Sequence, residues 1–168
     1  MNRVFKTIVI DDEPAARRLM RNLLLDHAEI VEVIAEAGNG AEAIEKIESL
    51  MPDLVFLDIQ MPDMTGFEVI EKLQHKPNII FTTAYEQYAI RAFDSFSIDY
   101  LLKPIREERL QQSIQKLRQF GKLGQGIDID VVDVDELAVL GDLGGVVRQE
   151  DMARHFRRQQ LHTPGPVV

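Results

Sequence analysis

The sequence predicts an α/β fold, a five-stranded doubly wound parallel sheet with helices on both faces. Three observations carry this expectation. Short apolar or β-branched runs alternate with segments of helical periodicity, the pattern that places crossover helices between parallel strands. One run, Leu54-Val55-Phe56-Leu57, is apolar at successive positions, as a central strand buried on both faces requires. The runs also stop abruptly at polar residues, and in open α/β sheets the carboxyl edge of the strands is where ligands and chemistry collect.

Taken in order, Thr7-Ile8-Val9-Ile10 is a β-branched strand that runs into Asp11, Asp12 and Glu13. Pro14 opens a helix at its favoured first-turn position. From Ala15 to His27 the spacing places Leu19, Leu23 and Leu24 on one face and leaves Arg17, Arg18 and Arg21 for water. Residues 30–35 form the second strand. Gly38-Asn39-Gly40 is a turn, and Ala41 to Leu50 is a helix with Ile44, Ile47 and Leu50 inward. The central strand ends at Asp58, because Pro62 forbids any continuation. After a loop from Met61 to Gly66, a helix runs from Phe67 to Gln74 and is closed by Pro77.

Asn78-Ile79-Ile80-Phe81-Thr82 is the fourth strand and leads into Thr83-Ala84. Residues 86–93 make a short helix with Tyr88, Ala89 and Phe93 at helical spacing. Asp99-Tyr100-Leu101-Leu102 is the fifth strand, ending at Lys103-Pro104. The last helix runs from about Arg106 to Phe120 with Leu110, Ile114 and Leu117 inward. Gly121 to Gly126 has linker composition, which divides the chain into a domain over 1–121, a linker over 122–126 and a tail over 127–168.

Composition narrows the function classes. The formal net charge of −9 argues against nucleic-acid binding by the whole surface. The chain has no cysteine, which excludes disulfides, thiolate metal sites and a cysteine nucleophile. Neither a membrane span nor the apolar core of a signal peptide is visible, so the expected compartment is the cytoplasm. The tail alternates apolar and acidic residues from Ile127 to Asp135, and later offers one weak helix from about Val146 to Gln160. Burying Met152 and Phe156 from that helix gives roughly 3–6 kcal/mol at most. Ordering its backbone costs about 1–2 kcal/mol per residue, so the tail is expected to be disordered or loosely packed.

The strand ends carry the chemistry. Asp11 and Asp12, Asp58, Thr83 and Lys103 terminate the first, third, fourth and fifth strands, which a doubly wound sheet can bring to one edge. Each is ordinary alone: a turn aspartate, a Lys-Pro loop, an Asp-Asp cap before a helix. Together they make three carboxylates that repel one another unless a cation is present. Oxygen ligands without His or Cys suit Mg²⁺ or Mn²⁺. Lys103 adds a fixed positive charge, and Thr83 adds a hydroxyl donor. Such a site suits a phosphoryl group arriving at Asp58.

These residues resemble the receiver domain of two-component response regulators, over about Asn2 to Phe120. Asp11-Asp12 is similar to the family's acidic pair, and Asp58-Ile59-Gln60-Met61-Pro62-Asp63-Met64-Thr65-Gly66 to its phosphoacceptor loop. Thr83-Ala84 resembles the switch hydroxyl pair, Tyr100 the switch aromatic, and Lys103-Pro104 the lysine with its usually cis proline. The resemblance implies the strand order 2-1-3-4-5. It also implies Mg²⁺ held by Asp12, Asp58 and the Gln60 carbonyl, with Asp11 acting through water. The implied partner is a sensor histidine kinase, and a homodimer through the 86–120 face is compatible with it.

Phe81 to Phe93, followed by Ile98 to Ile105, further resembles receivers of the LytTR family of transcriptional regulators. Those carry a C-terminal DNA-binding domain of about a hundred residues, but the tail here is shorter and acidic at its start. DNA binding is therefore not expected of this chain, and the tail reads as a truncated or frameshifted output region. The activity implied is self-phosphorylation and autodephosphorylation, not metabolic catalysis. Two alternatives stand beside it. A pseudo-receiver acting only through protein contacts usually lacks one of the acids or the lysine. A phosphatase of the haloacid dehalogenase type places its nucleophile in Asp-x-Asp after the first strand, whereas here Asp11-Asp12-Glu13 is followed by Pro14.

Overall fold

The computed structural model describes residues 4–94 and 97–121. The expectations for residues 122–126 and 127–168 lie outside the described residues. The strands are β1 (Phe5–Ile10), β2 (Val31–Ala37), β3 (Leu54–Asp58), β4 (Asn78–Thr83) and β5 (Asp99–Leu102). The helices are α1 (Pro14–Leu24), α2 (Gly40–Leu50), α3 (Gly66–Lys72), α4 (Ala89–Asp94) and α5 (Glu107–Phe120). All strand pairs are parallel, in the order β2-β1-β3-β4-β5. The doubly wound sheet and its order are as expected.

Every residue of β3 is buried, and the two-residue period of a strand divides its side chains between two cores. Val55 and Leu57 join Ile8, Ile47, Phe67, Val69 and Phe81 on one face. Leu54 and Phe56 join Met20, Leu24, Leu110, Ile114 and Leu117 on the other. The α5 expectation thus holds at all three positions. On α1 the expected Leu24 is buried and Leu23 packs against the core, but Met20 takes the inward place expected of Leu19, which is 47% exposed. Leu19 instead lines a groove between α1 and the segment after β5, formed with Ala15, Ala16, Phe56, Pro104 and Ile105. In α2 the inward residues are Ala43 and Ile47, while Ile44 is half-buried and Leu50 exposed. Small residues allow the helix to lie close to the sheet, and apolarity alone did not reveal that face.

Several boundaries shift for physical reasons. β2 continues to Ala37 because pairing with β1 propagates until Ala37 stands opposite Ile10. The expected helix over 86–93 is a 3₁₀ turn at Glu86–Tyr88 that passes into α4; Tyr88 and Ala89 are half-buried, and the Phe93 side chain lies outside the described residues. α3 is only seven residues long and is held by a capping box. In it the Glu68 backbone N–H donates to Thr65 Oγ1 at 3.2 Å, and the Thr65 N–H donates to Glu68 Oε2 at 2.6 Å.

Candidate functional site

β1 and β3 are sheet neighbours, so their carboxyl ends bring Asp11 and Asp58 side by side. Both are buried, at 5% and 4% exposure, while Asp12 faces solvent. Carboxylate oxygens of Asp11, Asp12 and Asp58 all lie within 4.8 Å of one another. Lys103 follows β5, and its Nζ reaches past the end of β4 to both buried acids. It stands 2.6 Å from Asp11 Oδ2 and 3.3 Å from Asp58 Oδ2. The Lys103 backbone N–H donates to the Thr83 carbonyl at 2.7 Å, and the Lys103–Pro104 peptide is cis.

The loop after β3 is held from two sides. A Cβ on Gly66 would stand 2.7 Å from the Asp58 carbonyl oxygen, so only glycine lets α3 start this close to the acid. Asp63 accepts from the Gly40 and Ala41 backbone N–H groups, both at 2.9 Å, and so caps the N-terminus of α2. Within the loop, the Gln60 N–H donates to Asp58 Oδ1 at 3.2 Å. The exposed Gln60 side chain donates to the Tyr88 hydroxyl at 3.1 Å.

Burial pushes the Asp58 carboxyl up to about 6, and the negative charge of Asp11 adds to that. The Lys103 charge, with hydrogen bonds from the Gln60 N–H and Lys103, holds it back from a larger rise. For Lys103 burial works toward a lower value. The hydrogen bond to Asp11 and the charges of Asp58 and Asp11 outweigh it, and the ammonium is held above its ordinary range. The lysine is therefore a permanent cation at physiological pH.

Among the other expected site residues, Thr83 is buried at the end of β4, on the same sheet edge. Its Oγ1 accepts from the Tyr85 N–H at 3.1 Å. Tyr100 stands apart from the acids, half-buried in β5 opposite Phe81. The structure thus gathers Asp11, Asp12, Asp58, Lys103 and the Gln60 backbone. It places Thr83 at their edge and Tyr100 one layer away.

The donor set is all oxygen. Asp11 Oδ1 accepts from the Glu13 N–H at 2.9 Å and Asp11 Oδ2 is taken by Lys103, whereas Asp12 accepts no hydrogen bond among the described residues. A hard divalent cation of the Mg²⁺ or Mn²⁺ type fits this cluster of three carboxylates.

Two features went unread in the sequence. Arg17 Nη1 donates to the Asp11 carbonyl at 2.7 Å and so steadies the peptide that precedes Asp12. Asp99 is 2% exposed and is gripped by Arg109, Ser113 and Lys116. The readable signal for the second is the 109, 113, 116 spacing, which lays one polar stripe along α5 beside the apolar one.

Comparison with known proteins extends this geometry. Residues 7–115 match the family model described as the response regulator receiver domain. The transcriptional regulatory protein BtsR of Salmonella typhi is 45% identical over 118 residues, which are 69% of this chain and 49% of that protein. An uncharacterized response regulatory protein of Vibrio cholerae is 39% identical over 140 residues, covering 82% of this chain and 59% of its own length. That second alignment is too long to end at Gly126, so it runs beyond the described residues. The chain spans about half the length of the curated relatives it matches. The response regulatory domain of mrkE from Klebsiella pneumoniae superposes with a TM-score of 0.61 at 32% identity, covering 68% of this chain and 95% of that one. The REC domain of AraT, a response regulator from Geobacillus stearothermophilus, gives 0.61 at 33% identity, over 70% and 95%. With the fold, the strand order and the matched residues in agreement, the chain belongs to the response regulator receiver domain family of two-component signalling.

Proposed function

We propose that Asp58 accepts a phosphoryl group from the phosphohistidine of a partner sensor histidine kinase, or from a small acyl phosphate. The observation that carries this reading is one buried carboxylate with a fixed ammonium 3.3 Å away, inside a cluster of three acids. An Asp58 oxygen attacks phosphorus while the P–N bond of the donor breaks. The bonding electron pair goes to the imidazole nitrogen, which takes up a proton, and Asp58 is left as an acyl phosphate. With its carboxyl at about 6, Asp58 is mostly ionised at neutral pH and available as the nucleophile.

Asp12, Asp58 and the Gln60 carbonyl would hold Mg²⁺ or Mn²⁺, and Asp11 would act through water. When bound, such a cation supplies positive charge that offsets the charge on the transferring phosphoryl oxygens. Lys103 supplies the second positive charge. The Thr83 hydroxyl uses its oxygen to accept from Tyr85, which leaves its proton for a phosphoryl oxygen. The groove beside Asp11 and Lys103, with exposed Leu19 at its rim, offers an apolar seat for the donor protein. Movement of Thr83 and Lys103 toward the phosphoryl group, with Tyr100 following, would repack the surface over α4 and β5 where a partner reads it. The only chemistry ascribed to the chain itself is its own phosphorylation and dephosphorylation, in the cytoplasm. In a longer protein the output would be transcriptional regulation, the role in the name of the BtsR relatives.

The test is incubation with acetyl phosphate and Mg²⁺, followed by intact mass. The wild-type chain is expected to gain one phosphoryl group and Asp58→Asn none. Full labelling of the Asn variant would move the acceptor elsewhere.

A further inference from the structure

β5 is an edge strand, paired with β4 in the sheet. Its two ends are held by different chemistry. Past its carboxyl end, Lys103 grips Asp11 and Asp58. At its start Asp99 is almost wholly buried, and nothing in the phosphoryl chemistry uses it. Arg109 from α5 donates to both of its oxygens, Nη1 to Oδ2 at 2.6 Å and Nη2 to Oδ1 at 2.8 Å. The same Nη2 donates to the Tyr100 carbonyl at 3.0 Å, and Nη1 donates to Ser113 Oγ at 3.1 Å. Ser113 in turn donates to Asp99 Oδ2 at 2.7 Å, and Lys116 Nζ lies 3.3 Å from Oδ1. The guanidinium carbon stands 5.8 Å from the Tyr100 ring centroid.

We infer that Arg109 is a positioning residue that locks β5 to α5, so that displacement of β5 through Lys103 is carried into α5. The inference rests on the phosphoacceptor reading of Asp58. The apolar contact of Leu101 with Leu110, Ile114 and Leu117 is non-directional and permits a strand to slide under a helix. A fork of N–H donors that holds a strand carboxylate, a strand carbonyl and a helix hydroxyl at once does not permit it. Lysine cannot replace that fork, because an ammonium is a point charge without the planar geometry. Asp99 and Tyr100 open the four-residue β5 and Lys103 follows it directly, so a pull at one end reaches the clamp through a rigid element.

The experiment uses the full chain with acetyl phosphate and Mg²⁺, and follows Asp58 labelling by mass and backbone amide exchange by peptide. In the wild type, phosphorylation is expected to change exchange over both 99–103 and 107–120. In Arg109→Lys, labelling and the 99–103 response are expected to persist while the 107–120 response falls at least threefold. A clamp that served stability alone would raise α5 exchange equally with and without phosphoryl and leave the difference intact. That result overturns the inference, as does a wild-type α5 that does not respond. The double variant Asp99→Asn/Arg109→Gln removes the clamp without leaving a buried unpaired charge, and it must lose the α5 response in the same way. Failure of the wild type to label at all would overturn the phosphoacceptor reading instead.

Discussion

At the scale of single residues, the site is a balance of charge that burial sharpens. Asp11 and Asp58 are both out of water and share one ammonium, while Asp12 adds a third carboxylate at the rim. Lys103 answers one unit of that charge, and the remaining repulsion is what a divalent cation relieves. Removing Asp12 lessens the repulsion and also removes the carboxylate of the three with the fewest other commitments. Asp12→Ala is therefore expected to stabilise the metal-free protein by about 0.5–1 kcal/mol at low salt. Mg²⁺ is expected to raise the melting temperature of the wild type and to leave that of the variant unchanged. Melting curves with EDTA and with Mg²⁺ check both, and an undiminished Mg²⁺ shift in the variant would place the cation elsewhere. These residues were legible in the sequence because each ends a strand, and parallel topology brings strand ends together. Asp99 was not, because it starts its strand and its partners come from a helix whose rotation only packing decides. Arg17 escaped for a related reason: its target is a backbone carbonyl, which no side-chain pattern announces.

At the scale of elements, periodicity located the strands and helices, and packing set their faces and ends. The apolar stripe of α5 was legible at Leu110, Ile114 and Leu117 because it is unbroken, though the buried Ser113 beside it was not. α1 and α2 also turn small or flexible residues inward, at Met20, Gly40 and Ala43, so Leu24 and Ile47 were legible while Leu19 and Leu50 misled. The end of α2 also carries a cost that the sequence does not advertise. Met51 closes the helix at φ 49°, in the left-handed region, and its side chain is 43% exposed. Met51→Gly is expected to stabilise the fold by about 0.5–1 kcal/mol, since relief of the Cβ clash outweighs glycine's extra chain entropy there. Urea unfolding measures it; a loss of stability would mean that the Met51 side chain packs better than its exposure suggests. The β5–α5 clamp yields a pH prediction. Burial alone would raise the Asp99 carboxyl, but hydrogen bonds from Arg109 and Ser113 and the charges of Lys116 and Arg109 hold it below its ordinary value. A lowered folded-state value contributes stability above the unfolded value of about 3.8, and this is lost as pH falls through the folded value below it. Asp99→Asn is thus expected to cost about 1–3 kcal/mol near neutral pH. The deficit should shrink steadily below about pH 4. A deficit that does not change with pH would show that shape, not charge, sets the worth of Asp99.

At the scale of the whole domain, Lys103 is the strut that joins the far edge of the sheet to its centre. From the end of β5 it spans past β4 to Asp58 at the end of β3 and to Asp11 just past β1, the latter ninety-two positions earlier in the chain. No other ammonium or guanidinium among the described residues bridges those two acids. Without it the two buried carboxylates face each other with no ammonium between them, and β5 is left with its backbone bonds to β4 and with its clamp and packing on α5. Lys103→Ala is therefore expected to destabilise the metal-free protein by about 1–3 kcal/mol, the side chain's partial exposure keeping this below the cost for a fully buried pair. Mg²⁺ should restore part of the loss, because the cation occupies the same excess of negative charge. Phosphorylation of Asp58 should still occur, since the nucleophile and the remaining acids are intact. What should be lost is its reach. Coupling between two packings of one domain requires a contact that differs between them, and under the proposed function that contact would be the ammonium drawn from two carboxylates toward a phosphoryl group. Amide exchange over residues 84–102 is expected to respond to phosphorylation in the wild type and several-fold less in Lys103→Ala. Equal responses in the two proteins, at equal Asp58 labelling, would assign the coupling to Thr83 and the loop after β4 in place of the strut.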